Sequence, residues 1–194
     1  MTIEASRLQA RLGLKPDGII GPDTLTQLFY KCGAAPERAR ELGLSANVHF
    51  RTAGILANPL RLAHAMAQLI HESGGFRYME EIASGQAYEG RKDLGNVRAG
   101  DGKLFKGRGP IQLTGRRNYQ VYGARLGIDF ERHPEVVALP SIGLMVACEY
   151  WSSHKLNALA DADNLHAITR KINGGLNGLA DRAAALTEMK GFLL

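Results

Sequence analysis

An apolar stripe within residues 58–73, NPLRLAHAMAQLIHES, constrains the fold more than any other feature of the sequence. Its large apolar side chains recur at the spacing of one face of an α-helix, namely at Leu62, Met66, Leu69 and Ile70. Gly74 and Gly75 follow, and glycine adopts the left-handed conformation that ends a helix at little cost. We therefore expect a packed helix that carries an acid, Glu72, in its last turn.

The rest of the chain predicts a mainly α-helical protein with little sheet. Further helical patterns occupy residues 36–50, 117–127, 140–154, 164–172 and 179–194. Between them, residues 84–114 are rich in glycine and predict loops with one short hairpin that ends in GPIQLTG. We call residues 84–114 the loop wall and expect it to separate two helical groups.

The first 34 residues predict a small helical segment, followed by the main domain over residues 35–194. The pattern in LQARLGLKPDGIIGPDTL, residues 8–25, resembles a shortened form of the small peptidoglycan-binding modules. A plain helical hairpin explains the same residues equally well. Both alternatives remain open at the level of sequence.

The charge of the chain favours an anionic partner. The net charge is +5 and the isoelectric point is near 9.4, which suits an anionic polymer such as a bacterial cell wall. The basic residues are scattered and no nucleic-acid motif occurs, so we expect no nucleic-acid partner. No apolar run is long enough to span a membrane, so we expect none inserted, and we expect a monomer.

The sequence indicates no metal and no cofactor. His64 and His71 lie seven positions apart without a supporting set of ligands. Cys32 and Cys148 also lack the spacing of a zinc site, and they are typical of two small buried residues kept reduced.

Glu72 is a candidate proton donor. On a helical wheel it lies at the border of the apolar stripe, beside Ala65 and Gln68. Burial disfavours the charged form of a carboxyl, and so do the carbonyl dipoles at the end of a helix. A carboxyl that stays protonated near neutral pH can act as a general acid. The alternative is a capping or ion-paired glutamate, with His71 or Arg77 as its partner.

A second acid follows the glycine turn. A pair of facing carboxyl groups can cleave a glycosidic bond, and a separation of about 6.5–9.5 Å leaves room for a water and favours inversion. If the arm after Gly75 is extended, only one of Glu80 and Glu81 can face Glu72. Glu89, in AYEGR, is a third candidate.

Three motifs together resemble the family 19 glycoside hydrolases, and their bacteriophage endolysin branch more than the plant chitinases. They are AHAMAQLIHESGGFRYMEE, FKGRGPIQLTGRRNY and ITRKINGGLNGLADR. The resemblance covers about residues 35–194 in the right order. It implies a lysozyme-like, mostly helical fold with a cleft between two lobes, and a mechanism that inverts the anomeric centre.

The resemblance also implies roles for single residues. Glu72 matches the general acid, Glu81 the general base, and Thr114 the side chain that helps to hold the nucleophilic water. Contacts with the substrate or the cleft wall are implied at Gln112, Asn118, Tyr119 and Asn173. The loop after Glu81 is shorter than in many relatives, so Glu80 and Glu89 stay open as alternatives for the base.

The expected function is hydrolysis of β-1,4 bonds in the glycan strands of peptidoglycan, with chitin as an alternative substrate. A lytic transglycosylase, which can work with one glutamate, and a non-catalytic glycan-binding protein are the rival hypotheses. The N-terminus lacks the pattern of a secretory signal, so we expect synthesis in a host cytoplasm without a cleavable signal peptide. The phage resemblance then implies a holin-like, membrane-permeabilising partner that gives access to the wall.

Overall fold

The computed structural model describes residues 2–194 and is mainly helical. Its α-helices over this range are α1 (Ala5–Arg11), α2 (Pro22–Lys31), α3 (Pro36–Thr52), α4 (Pro59–Glu72), α5 (Asp101–Leu104), α6 (Arg116–Leu126), α7 (Pro140–Ser153), α8 (Leu156–Asp161), α9 (Leu165–Asn173) and α10 (Leu179–Leu193). Short 3-10 helices span Ile55–Ala57, Gln86–Tyr88, Lys92–Leu94 and Pro134–Ala138. The prediction of a mainly α-helical fold with little sheet is confirmed. None of the helices in residues 2–194 has the length and apolarity needed to cross a bilayer.

Proline sets the start of four helices. It stands at the first helical position of α2, α3, α4 and α7, as Pro22, Pro36, Pro59 and Pro140. Its fixed φ suits a helix, and its missing N–H falls where a helix leaves N–H groups unpaired. At α4 the side chain of Asn58 also accepts a hydrogen bond from the N–H of Leu60, at 3.0 Å. The helices predicted from apolar spacing therefore begin close to their expected positions.

The end of α4 is determined by Ser73 and two glycines. The Ser73 hydroxyl donates to the carbonyl of Leu69 at 2.6 Å and accepts from the N–H of Phe76 at 2.8 Å. Gly74 and Gly75 follow with φ of +59° and +72°, in the left-handed region that was predicted to end the helix. The turn redirects the chain immediately after Glu72.

The N-terminal helices share the hydrophobic core of the rest of the chain. Three side chains of α2 are completely buried, namely Leu25, Leu28 and Phe29. The ring of Phe29 lies 6.1 Å from that of Phe50 and meets the ring of Phe76 edge-on, at 4.9 Å between centroids. The predicted boundary after residue 34 therefore does not separate two hydrophobic cores.

A buried glutamine explains much of the N-terminal sequence pattern. The Gln9 side chain is 2% exposed, and its Nε2 donates to Asp17 Oδ1 at 2.6 Å and to Thr24 Oγ1 at 3.0 Å. Its Oε1 accepts from the N–H groups of Asp17 and Gly18, at 2.9 and 3.0 Å. The spaced Gln, Asp-Gly and Thr thus serve to fold this segment, and wall binding by residues 1–34 stays a prediction.

The loop wall is held by buried polar contacts. Asp101, 1% exposed, accepts from the N–H groups of Val97 and Arg98, each at 3.0 Å. The same carboxylate pairs with the guanidinium of Arg116 at 2.5 Å, and that guanidinium lies 4.5 Å from the ring centroid of Phe105. The wall is therefore ordered although it contains little regular secondary structure.

The hairpin predicted at the end of the loop wall is reduced to isolated bridges. In the described chain, Glu80 pairs with Arg108 and Arg108 with Leu113, without forming strands. Gln112 has φ of +54°, which is incompatible with an extended strand. The GPIQLTG segment therefore contributes isolated bridges and no regular strand in the described chain.

Candidate functional site

A polar cleft of about 270 Å³ lies where α4, α6, α7, α9 and the loop wall meet. Five residues predicted from the sequence line it, namely Glu72, Gln112, Thr114, Asn118 and Asn173. They come from three separate motifs, and folding brings them to one space. Two predicted residues, Glu81 and Tyr119, are not part of this lining.

Glu72 enters the cleft from the last turn of α4, where its side chain is 18% exposed. Its Oε1 accepts a hydrogen bond from the guanidinium of Arg182 on α10, at 2.5 Å. Arg182 is 1% exposed and also donates to Gln68 Oε1, at 2.5 Å. Neither His71 nor Arg77, the expected partners, makes this ion pair. Glu72 is ion-paired with the buried Arg182 and not with His71 or Arg77, and its role as an acid stays a prediction.

Glu81 does not line the cleft, but it lies near two residues that do, Gln112 and Thr114. Its N–H donates to the carbonyl of Gly107 at 2.9 Å, and its Oε2 accepts from the N–H of Gly107 at 3.2 Å. A Cβ on Gly107 would stand 3.3 Å from Glu81 Oε2, 3.3 Å from Thr114 Oγ1 and 2.7 Å from Gln112 Oε1. Three predicted site residues thus converge around Gly107, two of which also line the cleft with Glu72.

The two alternatives for the base, Glu80 and Glu89, bind other groups of the protein. The carboxylate of Glu80 pairs with the guanidinium of Arg108, at 3.1 Å. The carboxylate of Glu89 accepts from the N–H groups of Gly100 and Gly102, at 2.7 and 2.8 Å. Glu81 is favoured among the three candidates because its Oε2 converges with Gln112 and Thr114 around Gly107.

Tyr119 does not contact the cleft. Its side chain is 0% exposed, and burial raises the pKa of its phenol to about 12. The hydroxyl donates to the carbonyl of Lys106 at 2.8 Å and accepts from Arg108 at 3.1 Å. Direct substrate contact by Tyr119 is therefore wrong, because this face of α6 is turned into the core. Its contacts instead fix the residues on both sides of Gly107.

The sequence reasoning missed Tyr150, which lines the cleft from α7. Its ring is stacked between Tyr122, at 5.9 Å, and His154, at 4.0 Å between centroids. Its hydroxyl donates to the carbonyl of Lys171 at 2.8 Å, two residues before Asn173. Burial raises the pKa of Tyr150 to about 12, so the phenol remains a donor. The sequence pattern of α7 did not indicate that Tyr150 lines the cleft, because tertiary packing decides which side of α7 is turned toward the cleft.

The histidines do not form a metal site. Within residues 2–194 no group of three or more His, Cys, Asp and Glu side chains is arranged to hold a metal ion. His64 is completely buried, and its Nε2 lies 2.7 Å from Asp163 Oδ1. Burial lowers the pKa of His64. The Nδ1 atom of His71 lies 3.8 Å from Oδ2 of Asp181, so its nearest acidic partner is Asp181 and not a residue next to His64.

The cleft and its motifs match a known enzyme family. The family model described as chitinase class I, of glycoside hydrolase family 19, matches residues 61–164, more than half of the chain. This chain belongs to glycoside hydrolase family 19. The family predicted from the three motifs is confirmed, and the chain is a glycoside hydrolase of the chitinase-like type.

Relatives of known sequence support the same membership. A family 19 domain-containing protein of Haemophilus influenzae is 32% identical over 157 residues, which cover 64% of this chain and 76% of that protein. An endochitinase of Arabidopsis thaliana is 36% identical over 115 residues, or 59% of this chain and 39% of the plant protein. The chain therefore spans about two fifths of that plant enzyme's length.

Solved structures support the fold. Chitinase C of Streptomyces griseus superimposes with a TM-score of 0.72 at 22% identity, covering 91% of this chain and 93% of that one. The family 19, class IV chitinase of Zea mays gives a TM-score of 0.67 at 22% identity, covering 89% and 91%. The predicted lysozyme-like fold of the family is confirmed.

Proposed function

We propose that this glycosidase hydrolyses the β-1,4 bonds of peptidoglycan glycan strands with inversion, with Glu72 as general acid and Glu81 as general base. One observation carries the proposal. Gln112 and Thr114 line the cleft together with Glu72, and their side-chain oxygens also converge with Glu81 Oε2 around Gly107. Both carboxyl groups therefore lie near the same two polar side chains, which supports their assignment as an acid–base pair.

The surroundings of Glu72 leave one of its two oxygens free to carry a proton. Arg182 holds Oε1 at 2.5 Å, while Oε2 accepts no hydrogen bond from the described chain. The proton on Oε2 passes to the glycosidic oxygen as the bond to the anomeric carbon breaks, and the bonding pair stays on that oxygen. The guanidinium of Arg182 then stabilises the carboxylate that is left.

The surroundings of Glu81 and Thr114 suit activation of a water. The Thr114 hydroxyl donates its hydrogen to the carbonyl of Gln112, at 2.9 Å. Its oxygen is therefore available as an acceptor for one hydrogen of a water molecule, while Glu81 takes the other. A lone pair of that water then points away from both groups, toward the anomeric carbon. The water attacks from the face opposite the leaving group, which inverts the configuration.

Charge favours peptidoglycan, and the relatives favour chitin as a second candidate. A net charge of +5 attracts the chain to an anionic wall, with an effect that salt screens. Chitin is uncharged, so the same charge brings no advantage there. Chitin nevertheless remains the second candidate substrate because the Arabidopsis relative is named an endochitinase.

Digestion of purified sacculi, with chitin oligomers in parallel, tests the proposal. We expect new reducing ends on the sacculi, one water added at each cut, and the inverted anomer in NMR spectra recorded during the reaction. Anhydro-sugar ends without water uptake would identify a lytic transglycosylase. Binding to sacculi without release of sugar would identify a glycan-binding protein, and activity on chitin alone would identify a chitinase.

The cellular setting that we propose is that of a phage endolysin, supported by the motif resemblance. The enzyme is made in the host cytoplasm as a monomer and reaches the wall after a holin-like protein permeabilises the membrane. Expression together with such a protein should lyse bacterial cells, whereas expression alone should leave the culture intact. Lysis by the enzyme alone would contradict the need for this partner.

A further inference from the structure

The phenol of Tyr88 contacts the proposed base directly. Its hydroxyl donates to Glu81 Oε1 at 3.1 Å, while the N–H of Gly107 donates to Oε2 at 3.2 Å. Each carboxylate oxygen thus has one donor, and the two donors come from different parts of the loop wall. Burial and the neighbouring Glu81 raise the pKa of Tyr88, so its hydroxyl keeps the proton that it donates.

Tyr88 is itself anchored through its backbone. The side chain of Asn96, 0% exposed, donates from Nδ2 to the carbonyl of Tyr88 at 2.9 Å. Its Oδ1 accepts from the N–H of Arg116, the first residue of α6, at 2.9 Å. The neighbouring Glu89 bonds two glycine N–H groups of the loop wall. The position of the Tyr88 backbone therefore does not depend on its hydroxyl.

We propose that Tyr88 is a positioning residue that orients Glu81 for activation of the nucleophilic water. The inference rests on the proposed role of Glu81 as the base. A carboxylate held through one oxygen can still rotate, whereas donors on both oxygens fix its plane. Each oxygen accepts more than one hydrogen bond, so the carboxylate can still receive a proton from water. Small errors in the placement of a reacting group lower the rate strongly.

The test is Tyr88→Phe, made in the native chain and again in a Glu81→Gln background. In the native chain we expect kcat to fall about tenfold or more, the effect of losing one hydrogen bond to a charged group. The KM for a soluble oligomer should change less than about twofold, since Tyr88 acts through Glu81 rather than through the substrate. In the Glu81→Gln background the same change should cost nothing further.

Tyr30→Phe is the matched control, because Tyr30 lies on α2 with 49% of its surface exposed. It should leave kcat and KM unchanged. Thermal unfolding of every variant should give similar midpoints, since Phe keeps the ring of Tyr88 and Asn96 keeps its backbone.

Four results would overturn the inference. An unchanged kcat in Tyr88→Phe would show that the hydroxyl does not orient the base. An equal loss in both backgrounds would show that Tyr88 acts independently of Glu81, and a change in KM alone would make it a substrate contact. Full activity of Glu81→Gln would instead show that Glu81 is not the base. The positioning role of Tyr88, which depends on Glu81, would then be wrong as well.

Discussion

The helical side of the cleft and the loop wall are stabilised by different interactions. Glu72 ends α4, whose apolar stripe is almost completely buried. Glu81, in contrast, is bound to the loop wall through Gly107 and Tyr88. The proposed acid thus stands on a rigid helix, whereas the proposed base depends on hydrogen bonds to a segment with little regular structure.

This difference determines which substitutions each side tolerates. On the helical side, stability comes mainly from apolar burial, worth about 1.5–3 kcal/mol for a large side chain. In the loop wall it comes from buried polar groups such as Asp101 and Asn96. One net hydrogen bond contributes only about 1 kcal/mol, but a buried group left without a partner costs about 1–3 kcal/mol. The stability of the helical side should therefore depend mainly on the volume of its buried side chains. The stability of the loop wall should depend on the polarity of its buried side chains and on pH.

The largest effect is expected at Glu72, on the helical side. Glu72→Gln keeps an oxygen for Arg182 but removes the proton that is transferred. Turnover of a soluble oligomer should fall by about 10⁴, the upper end for general acid catalysis, while the thermal midpoint stays near that of the native chain. Glu37→Gln, at an exposed position in the first turn of α3, is the control. Retained turnover in Glu72→Gln would remove it from the acid role.

A large loss of stability is expected from Phe29→Ala, also on the helical side. Phe29 is completely buried between Phe50 and Phe76, so the truncation should lower the free energy of unfolding by about 3–5 kcal/mol. Urea denaturation measures it, with Tyr30→Ala at the exposed next position as the control. A loss below about 1 kcal/mol would mean that the first 34 residues do not share the main core.

A smaller loss is expected from Asp101→Asn in the loop wall. The amide would face the donors of Val97, Arg98 and Arg116, and breaking a buried ion pair costs about 3 kcal/mol or more. Hydrogen bonding to Arg116 lowers the pKa of Asp101 below 3.8. The stabilisation is therefore complete above that pH and is lost as the pH falls through the lowered value. The difference in unfolding free energy between native chain and variant should shrink at pH 3; a constant difference would contradict the role of the charge.

A smaller effect again is expected from Glu81→Gln, which should lower the rate by about 10², equivalent to about 2.7 kcal/mol, with little change in stability. Glu80→Gln weakens a half-exposed ion pair and should change neither by much. Glu89→Gln should lower stability by about 1–3 kcal/mol, because one loop N–H loses its acceptor. If Glu89→Gln abolishes turnover of the folded enzyme and Glu81→Gln does not, the base is Glu89.

Much of the fold was predictable because its signals are local. The bounds of α3, α4 and α7 follow from apolar spacing and from proline at the first helical position. The short α5 and α8 were missed, since four to six residues carry too little periodicity to be recognised. The predicted hairpin is reduced to isolated bridges because Gln112 adopts a positive φ, which the sequence pattern does not reveal.

The candidate site was predictable only in part. Five of the predicted residues line the cleft, because the three motifs keep those side chains at fixed positions relative to a helix end or turn. Arg182 was not predicted as the partner of Glu72, and its pairing with Glu72 joins α10 to α4 across 110 positions of the sequence. No local pattern reports such a contact.

The sequence by itself determined where the long helices begin and end and which residues are candidates for the chemistry, because proline, glycine and serine act within one turn of the chain. Tertiary packing decided which way each of those residues faces. It buried Tyr119 and turned Tyr150 toward the cleft. It also brought the guanidinium of Arg182 to Glu72 and the hydroxyl of Tyr88 to Glu81. The physical reason is that side-chain direction and electrostatic partners depend on how distant elements pack, and neither is encoded within a single element.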